Sequence, residues 1–198
     1  MSIKNPNHPK KGDRITVEPI RKLADIKSIK KLLANNPRNY LLFVIGINNG
    51  LRAGDILKLK IKDVEKLKPG QLMIIRESKT GKNNILMINK TVYKALRIFL
   101  ESSNSKKEEY LFASRKTQKP LTIQSVNALV KKWTEEINLA GNYGAHTLRK
   151  TFGYIQRTEF GVGFEVLAKR FNHTSPAITM RYLGLTSGEV NKVLMNEI

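Results

Sequence analysis

Apolar residues recur at helical spacing along most of this chain. From about Lys22, Leu23, Ile26, Ile29, Leu32 and Leu33 share one face with lysines opposite, which predicts an amphipathic helix. Pro37 ends that helix and can open the next. Residues 39–49 are more apolar and predict a buried helix stopped at Gly50. A short helix should follow Arg52, carrying Ile56, Leu57 and Leu59, before a turn at Pro69-Gly70. Residues 71–76 and 84–88 then read as strands rich in Ile, Leu and Met. Glu77-Ser78-Lys79-Thr80-Gly81-Lys82 joins them as a hairpin connection.

Helical patterning then returns. Residues 91–101 turn Val92, Ala95, Leu96 and Phe99 inward, and 102–109 form a polar loop. Thr122 can cap a helix to about Leu139, with Val126, Leu129, Val130, Trp133 and Ile137 on one stripe. On that spacing Trp133 is a core anchor rather than a base-stacking residue. Thr147 can cap a helix carrying Arg149, Phe152 and Ile155. Another helix covers roughly 163–171, and Ser175-Pro176 opens the next, on or just after which Tyr182 falls. Ser187 can cap a last helix with Val190, Val193, Leu194 and Ile198 along one side. The expected fold is mainly α with a small antiparallel β-sheet, an α+β class. It lacks the strand–helix alternation of parallel α/β folds.

Composition narrows the partner. Of 198 residues, 36 are Lys or Arg and 16 Asp or Glu, a formal charge of +20. Such an excess favours a polyanion, and release of condensed counterions makes that binding salt-sensitive. There is no cysteine, which removes disulfides, thiolate metal sites and cysteine catalysis. Three histidines, at 8, 146 and 173, make a histidine-rich metal site a poor expectation. No apolar run is long enough to span a bilayer, and the polar N-terminus does not resemble a signal peptide. The reading is a soluble cytoplasmic protein without membrane contact.

Six side chains stand in contexts suited to a phosphodiester. Attack at phosphorus needs fixed donors for the nonbridging oxygens, a base for the nucleophile and an acid for the leaving oxygen. Arg52 follows Gly50-Leu51 at a helix junction, with Asp55 placed to pair with it or to cap backbone groups. Lys79 sits at the hairpin tip. His146 and Arg149 are spaced i, i+3 at a helix start, where an anion is favoured. His173 lies at a second junction, nine residues before Tyr182. A free tyrosine has a pKa near 10, so its ionisation needs a base or a positive field.

Arg52 in Gly-Leu-Arg, Lys79 on a hairpin, His146-x-x-Arg149, His173 and Tyr182 resemble, in order and spacing, the catalytic domain of the tyrosine recombinases, or phage-type integrases. The resemblance covers roughly 20–185. Asp55 stands where that family usually has Glu, and Asn172 where it usually has Gly. Asn tolerates the left-handed backbone better than most residues.

The resemblance implies the DNA breaking-rejoining enzyme fold and a site-specific recombinase. Tyr182 would form a 3′-phosphotyrosine, with no ATP, metal or other cofactor. It assigns Arg52 and Arg149 to the nonbridging oxygens, His146 to general base, Lys79 to general acid and His173 to a phosphate hydrogen bond. A type IB topoisomerase-like enzyme and a non-cleaving DNA-binding module are the alternatives. Implied partners are double-stranded DNA, further copies in a dimer or tetramer on DNA, and an accessory DNA-bending protein. The expected organisation is a flexible basic arm at 1–17, the catalytic domain at 18–185, and a C-terminal helix at 186–198. That helix docks in cis or, in the favoured reading, on a neighbouring protomer. No room remains for the family's N-terminal core-binding domain.

Overall fold

The computed structural model describes residues 16–103 and 108–184. Helix α1 (Leu23–Leu32) buries Ile26 and Ile29, with Leu33 just beyond. Leu23 and Leu32, expected on that face, are 52% and 39% exposed. The inward stripe is therefore i, i+3, i+7, narrower than the apolar pattern suggests. In α2 (Pro37–Asn49), proline takes the first position and the Asn36 side chain accepts the Asn39 N–H. The helix stops at Gly50, whose φ of 58° favours glycine. A β-carbon there would also run into the Phe152 ring.

The short helix expected after Arg52 is divided in two. α3 (Ala53–Ile56) is followed by buried Leu57 and Leu59 in a connecting turn. α4 (Ile61–Val64) then begins where the Asp63 carboxylate accepts the Lys60 N–H at 2.7 Å. Four residues carry no readable period, which is why the pattern misses α4.

Strands β1 (Leu72–Arg76) and β2 (Asn83–Met87) pair antiparallel, Leu72 with Met87 through Arg76 with Asn83. Ile75 and Leu86 face the core, while the cross-strand pairs Leu72–Met87 and Ile74–Ile85 face outward. Gly81, at φ 67°, closes the hairpin through its N–H to the Glu77 carbonyl.

Asn89 caps α5 (Lys90–Glu101) and Thr122 caps α6 (Ile123–Glu136). α6 ends before the expected Leu139, with Asn138 in the left-handed region. α7 (Ala145–Thr158), α8 (Phe164–Phe171) and α9 (Pro176–Leu183) complete the described elements. α9 starts at Ser175-Pro176 as the pattern predicts and carries Tyr182 in its last turn.

The core is built around α2, whose Leu41–Ile45 segment is fully enclosed among neighbours that include α5 and α7. Trp133 meets Phe43 edge-on at 6.0 Å between ring centres and is a core residue. A smaller cluster of Leu167, Phe171 and Leu183 packs α8 and α9 beside Phe152 and Tyr182. Thr16 and Val17, assigned to the arm by sequence, are already tied down. The Thr16 carbonyl accepts from Asn142, and Val17 approaches Gly144. The rest of the arm, part of the 102–109 loop and the C-terminal helix lie outside the described residues.

Candidate active site

The start of α7 organises the site. Thr147 does not cap this helix from outside. It lies one turn in, and its hydroxyl accepts the Gly144 N–H at 3.0 Å. The Asn127 side chain from α6 accepts the Ala145 N–H at 2.6 Å. Two neighbours thus hold the helix start, which presents His146 outward while Arg149, one turn on, is 2% exposed.

Arg149 spans three elements. Its two terminal nitrogens donate to the carbonyls of Gly50, after α2, and Phe171, ending α8, each at 2.7 Å. Its guanidinium also lies 4.5 Å over the Phe171 ring. Burial lowers its pKa to about 10, so it remains charged at neutral pH. Each terminal nitrogen retains a second N–H for another acceptor.

Arg52 sits at the N-cap of α3, and its partner is not Asp55. Arg52 Nη1 lies 2.5 Å from Glu77 Oε2. Glu77 is itself 1% exposed and accepts from Thr80 and Asn84 at 2.6 and 2.7 Å. Burial raises its pKa, but hydrogen bonds from Thr80, Arg52, Asn84 and Asn172 outweigh it and hold the group near 2. Asp55 instead faces the hairpin. Its Oδ1 accepts the Ser78 N–H at 2.9 Å and the Ser78 hydroxyl at 2.8 Å. Its shorter side chain thereby tethers the base of the loop that bears exposed Lys79.

Glu77 is the site residue that sequence reasoning missed. Its local signal was position, two residues before Lys79 at the strand end. Only the hairpin register shows that it turns inward toward Arg52.

His173 and Tyr182 meet through α8 and α9. Asn172 ends α8 at φ 54°, the left-handed turn expected for it, and delivers His173 onto the Tyr182 ring at 5.2 Å between centres. His173 Nδ1 lies 2.9 Å from the Thr179 hydroxyl. If Thr179 donates, the ring proton belongs on Nε2, which then points away as a donor. Burial, then Arg149 and Arg52, lower the His173 pKa to about 4. His146 is lowered as well, by burial and then by Arg149, Arg52, Lys150 and Lys79. Both rings are therefore neutral at pH 7. The Tyr182 hydroxyl is buried with no hydrogen-bond partner of good geometry among the described residues. Burial pushes its pKa up to about 12, against the opposing charges of Arg149 and Arg52.

Two adjoining cavities collect these groups. One, about 240 Å³, is lined by Arg52, Asp55, Ser78, Lys79, Ile123 and His146, among others. The second, about 430 Å³, is lined in part by His146 and Tyr182. His146 belongs to both. Arg149 and His173 line neither cavity, and the His173 ring packs edge-on against the Tyr182 ring. Arg52, Lys79, His146 and Tyr182, separated by up to 130 positions, thus line two cavities that share His146. Among the described residues no cluster of three or more His, Cys, Asp or Glu could hold a metal ion, and no helix is long and apolar enough to cross a membrane.

Comparison with known proteins identifies the family. A probable integrase/recombinase, YoeC of Bacillus subtilis, is 39% identical over 172 residues, covering 85% of this chain and 90% of its own. The tyrosine recombinase XerA of Pyrococcus horikoshii is 26% identical over 97% of this chain, which spans only 64% of that longer relative. Among solved structures, an XerA recombinase superposes with a TM-score of 0.72 at 19% identity, over 91% of this chain and 67% of that one. XerH bound to a difH substrate in a post-cleavage complex gives 0.72 at 22% identity, over 93% and 53%. Residues 14–188 match the Phage integrase family. The chain therefore belongs to the phage integrase family, the tyrosine-type site-specific recombinases, and carries their catalytic domain.

Proposed function

We propose that Tyr182 cleaves one DNA strand by attacking the scissile phosphorus through its phenolic oxygen. The new bond is a 3′-phosphotyrosine, and the bond to the 5′-oxygen breaks. His146 takes the phenol proton, and Lys79 gives a proton to the departing 5′-oxygen. Arg52 and Arg149 donate to the nonbridging oxygens where charge accumulates, and His173 adds a donor through Nε2. A 5′-hydroxyl of a partner strand then attacks the phosphotyrosine. His146 returns its proton to Tyr182, and the backbone is restored. The energy of the phosphodiester is kept in the covalent link, so the cycle is isoenergetic.

The observation that carries this reading is the neutral His146 shared by the cavity of Arg52 and Lys79 and the cavity of Tyr182. A neutral imidazole there can accept a proton, and the surrounding cations favour phenolate. Glu77 keeps Arg52 aimed, and the Asp55–Ser78 tether keeps the Lys79 loop in reach. The same reading includes assembly as a dimer or tetramer on DNA, an accessory DNA-bending protein, a cytoplasmic setting, and docking of 186–198 on a neighbouring protomer. A solved lambda integrase dimer on a core site has this fold at a TM-score of 0.63, which supports assembly on DNA.

A nicked suicide duplex, resolved on a denaturing gel, tests the chemistry. Wild type is expected to trap a covalent protein–DNA adduct. Tyr182→Phe should bind the duplex normally and trap none. An adduct formed by that variant would remove Tyr182 as nucleophile.

A further inference from the structure

The proposed chemistry leaves two basic side chains of the second cavity unexplained, Lys150 and Arg181. Lys150 follows Arg149 on α7 and is 7% exposed. Its ammonium lies 5.0 Å from the centre of the Tyr182 ring. Among the described residues no carboxylate lies within ion-pair distance of it. Glu18 acts on it only at longer range, and Arg21 opposes that effect. Lysine is rarely this buried unless paired, and a ring face replaces lost hydration only in part. Burial accordingly lowers the Lys150 pKa.

The cavity beside it has the matching character. It holds about 430 Å³ and is lined by Thr16, Val17, His146, Lys150, Ile178, Arg181 and Tyr182, with no acidic side chain among the described residues that line it. Two basic side chains, Lys150 and Arg181, therefore face one space with no carboxylate among its described lining residues. His146 joins this space to the cavity of Arg52 and Lys79.

We infer that this cavity is a second phosphate subsite, in which Lys150 and Arg181 hold the backbone phosphate adjacent to the scissile one. The inference rests on the DNA-cleaving reading of the first cavity. A strand seated over His146 carries phosphates on both sides of that residue, so one in the first cavity places its neighbour at the second. The incoming anion offsets the desolvation of Lys150. It also fixes the strand's register against Tyr182, which a single gripped phosphate leaves free to slide.

The test is equilibrium binding of the full chain to nicked duplexes. In these a neutral methylphosphonate replaces, one at a time, each phosphate within two nucleotides of the scissile position. For wild type, one substitution next to the scissile phosphate should weaken binding about tenfold, as expected for a lost charge-assisted contact. K150M should bind the unmodified duplex about tenfold more weakly and be indifferent to that same substitution. K150R should keep wild-type sensitivity. R181M alters an exposed side chain, so folding is secure, and it should also lose sensitivity at that one position. The slope of log affinity against log salt should fall by about 0.9 in K150M. The inference is overturned if K150M and R181M stay as sensitive as wild type at every position, or if their losses are equal at all positions. Binding is read without cleavage. A wild-type chain that binds but traps no adduct sinks the cleavage reading alone.

Discussion

At the residue scale, the two arginines of the site are held in different ways, and this decides what each variant does. Arg149 is fixed by backbone carbonyls of Gly50 and Phe171, which no side-chain substitution removes. Arg52 depends on one buried carboxylate, Glu77. Glu77→Gln keeps the shape and loses the charge. It should slow adduct formation on the suicide duplex about 10–100-fold while duplex affinity changes little. It should also lower unfolding stability by about 2–3 kcal/mol in urea titration. The pH dependence follows from the same groups. Glu77 is held near 2, below its ordinary 4.5, so its contribution is present above about pH 4.5 and lost as pH falls toward 2. His173 is held near 4, below its ordinary 6.5, so its neutral form stabilises the fold above 6.5 and that contribution is lost as pH falls toward 4. Melting temperature should therefore begin to fall below about pH 6.5, and Glu77→Gln should flatten only the part below 4.5. The lowered His146 pKa should place the acid limb of adduct formation below pH 6.5. A rate that halves near 6.5 would contradict a neutral, depressed His146.

At the scale of elements, the proposed catalytic groups sit where helices and the hairpin meet, and short-range devices set those junctions. Gly50 ends α2 in the left-handed region and lets Phe152 pack against the backbone just before Arg52. Gly50→Ala combines backbone strain with a clash and should cost about 2–4 kcal/mol in thermal or urea unfolding. The hairpin offers a sharper test. Asp55 Oδ1 receives both Ser78 donors, while its Oδ2 is buried with no hydrogen-bond partner among the described residues. Asp55→Asn preserves a carbonyl oxygen for Ser78 and should cleave at near the wild-type rate. Asp55→Ala releases the loop and should slow adduct formation about ten- to hundredfold, since small displacements of an acid are expensive in rate. Equal effects from both variants would assign Asp55 a role other than tethering the Lys79 loop.

At the scale of the whole molecule, the formal charge of +20 dominates the expected behaviour on a polyanion. Duplex binding should fall steeply with salt. A protein neutralising six to ten phosphates loses about 10³–10⁵ in affinity between 50 and 200 mM, and this chain is expected near the lower value. A fluorescence-anisotropy salt titration with little slope would argue against backbone-led binding. The six catalytic candidates, the helix–hairpin–helix order and the charge were legible because each is a local property. Periodicity marks helices, Ser175-Pro176 and Gly50 mark their ends, and catalytic residues recur in recognisable short contexts. Other assignments were not legible. Leu23 and Leu32 are apolar yet exposed, because which part of a stripe is covered depends on the neighbouring helix. Asp55 lies three residues from Arg52 and serves the hairpin instead, while Glu77, 25 positions away, takes the guanidinium. Lys150 carries no local signal of its burial, yet α7 encloses it against the Tyr182 ring. The sequence by itself determined most of the elements, the family's signature residues and the basic charge. Only the tertiary structure decided which charge faces which, because ion pairing and desolvation depend on distances through space that spacing along the chain does not encode.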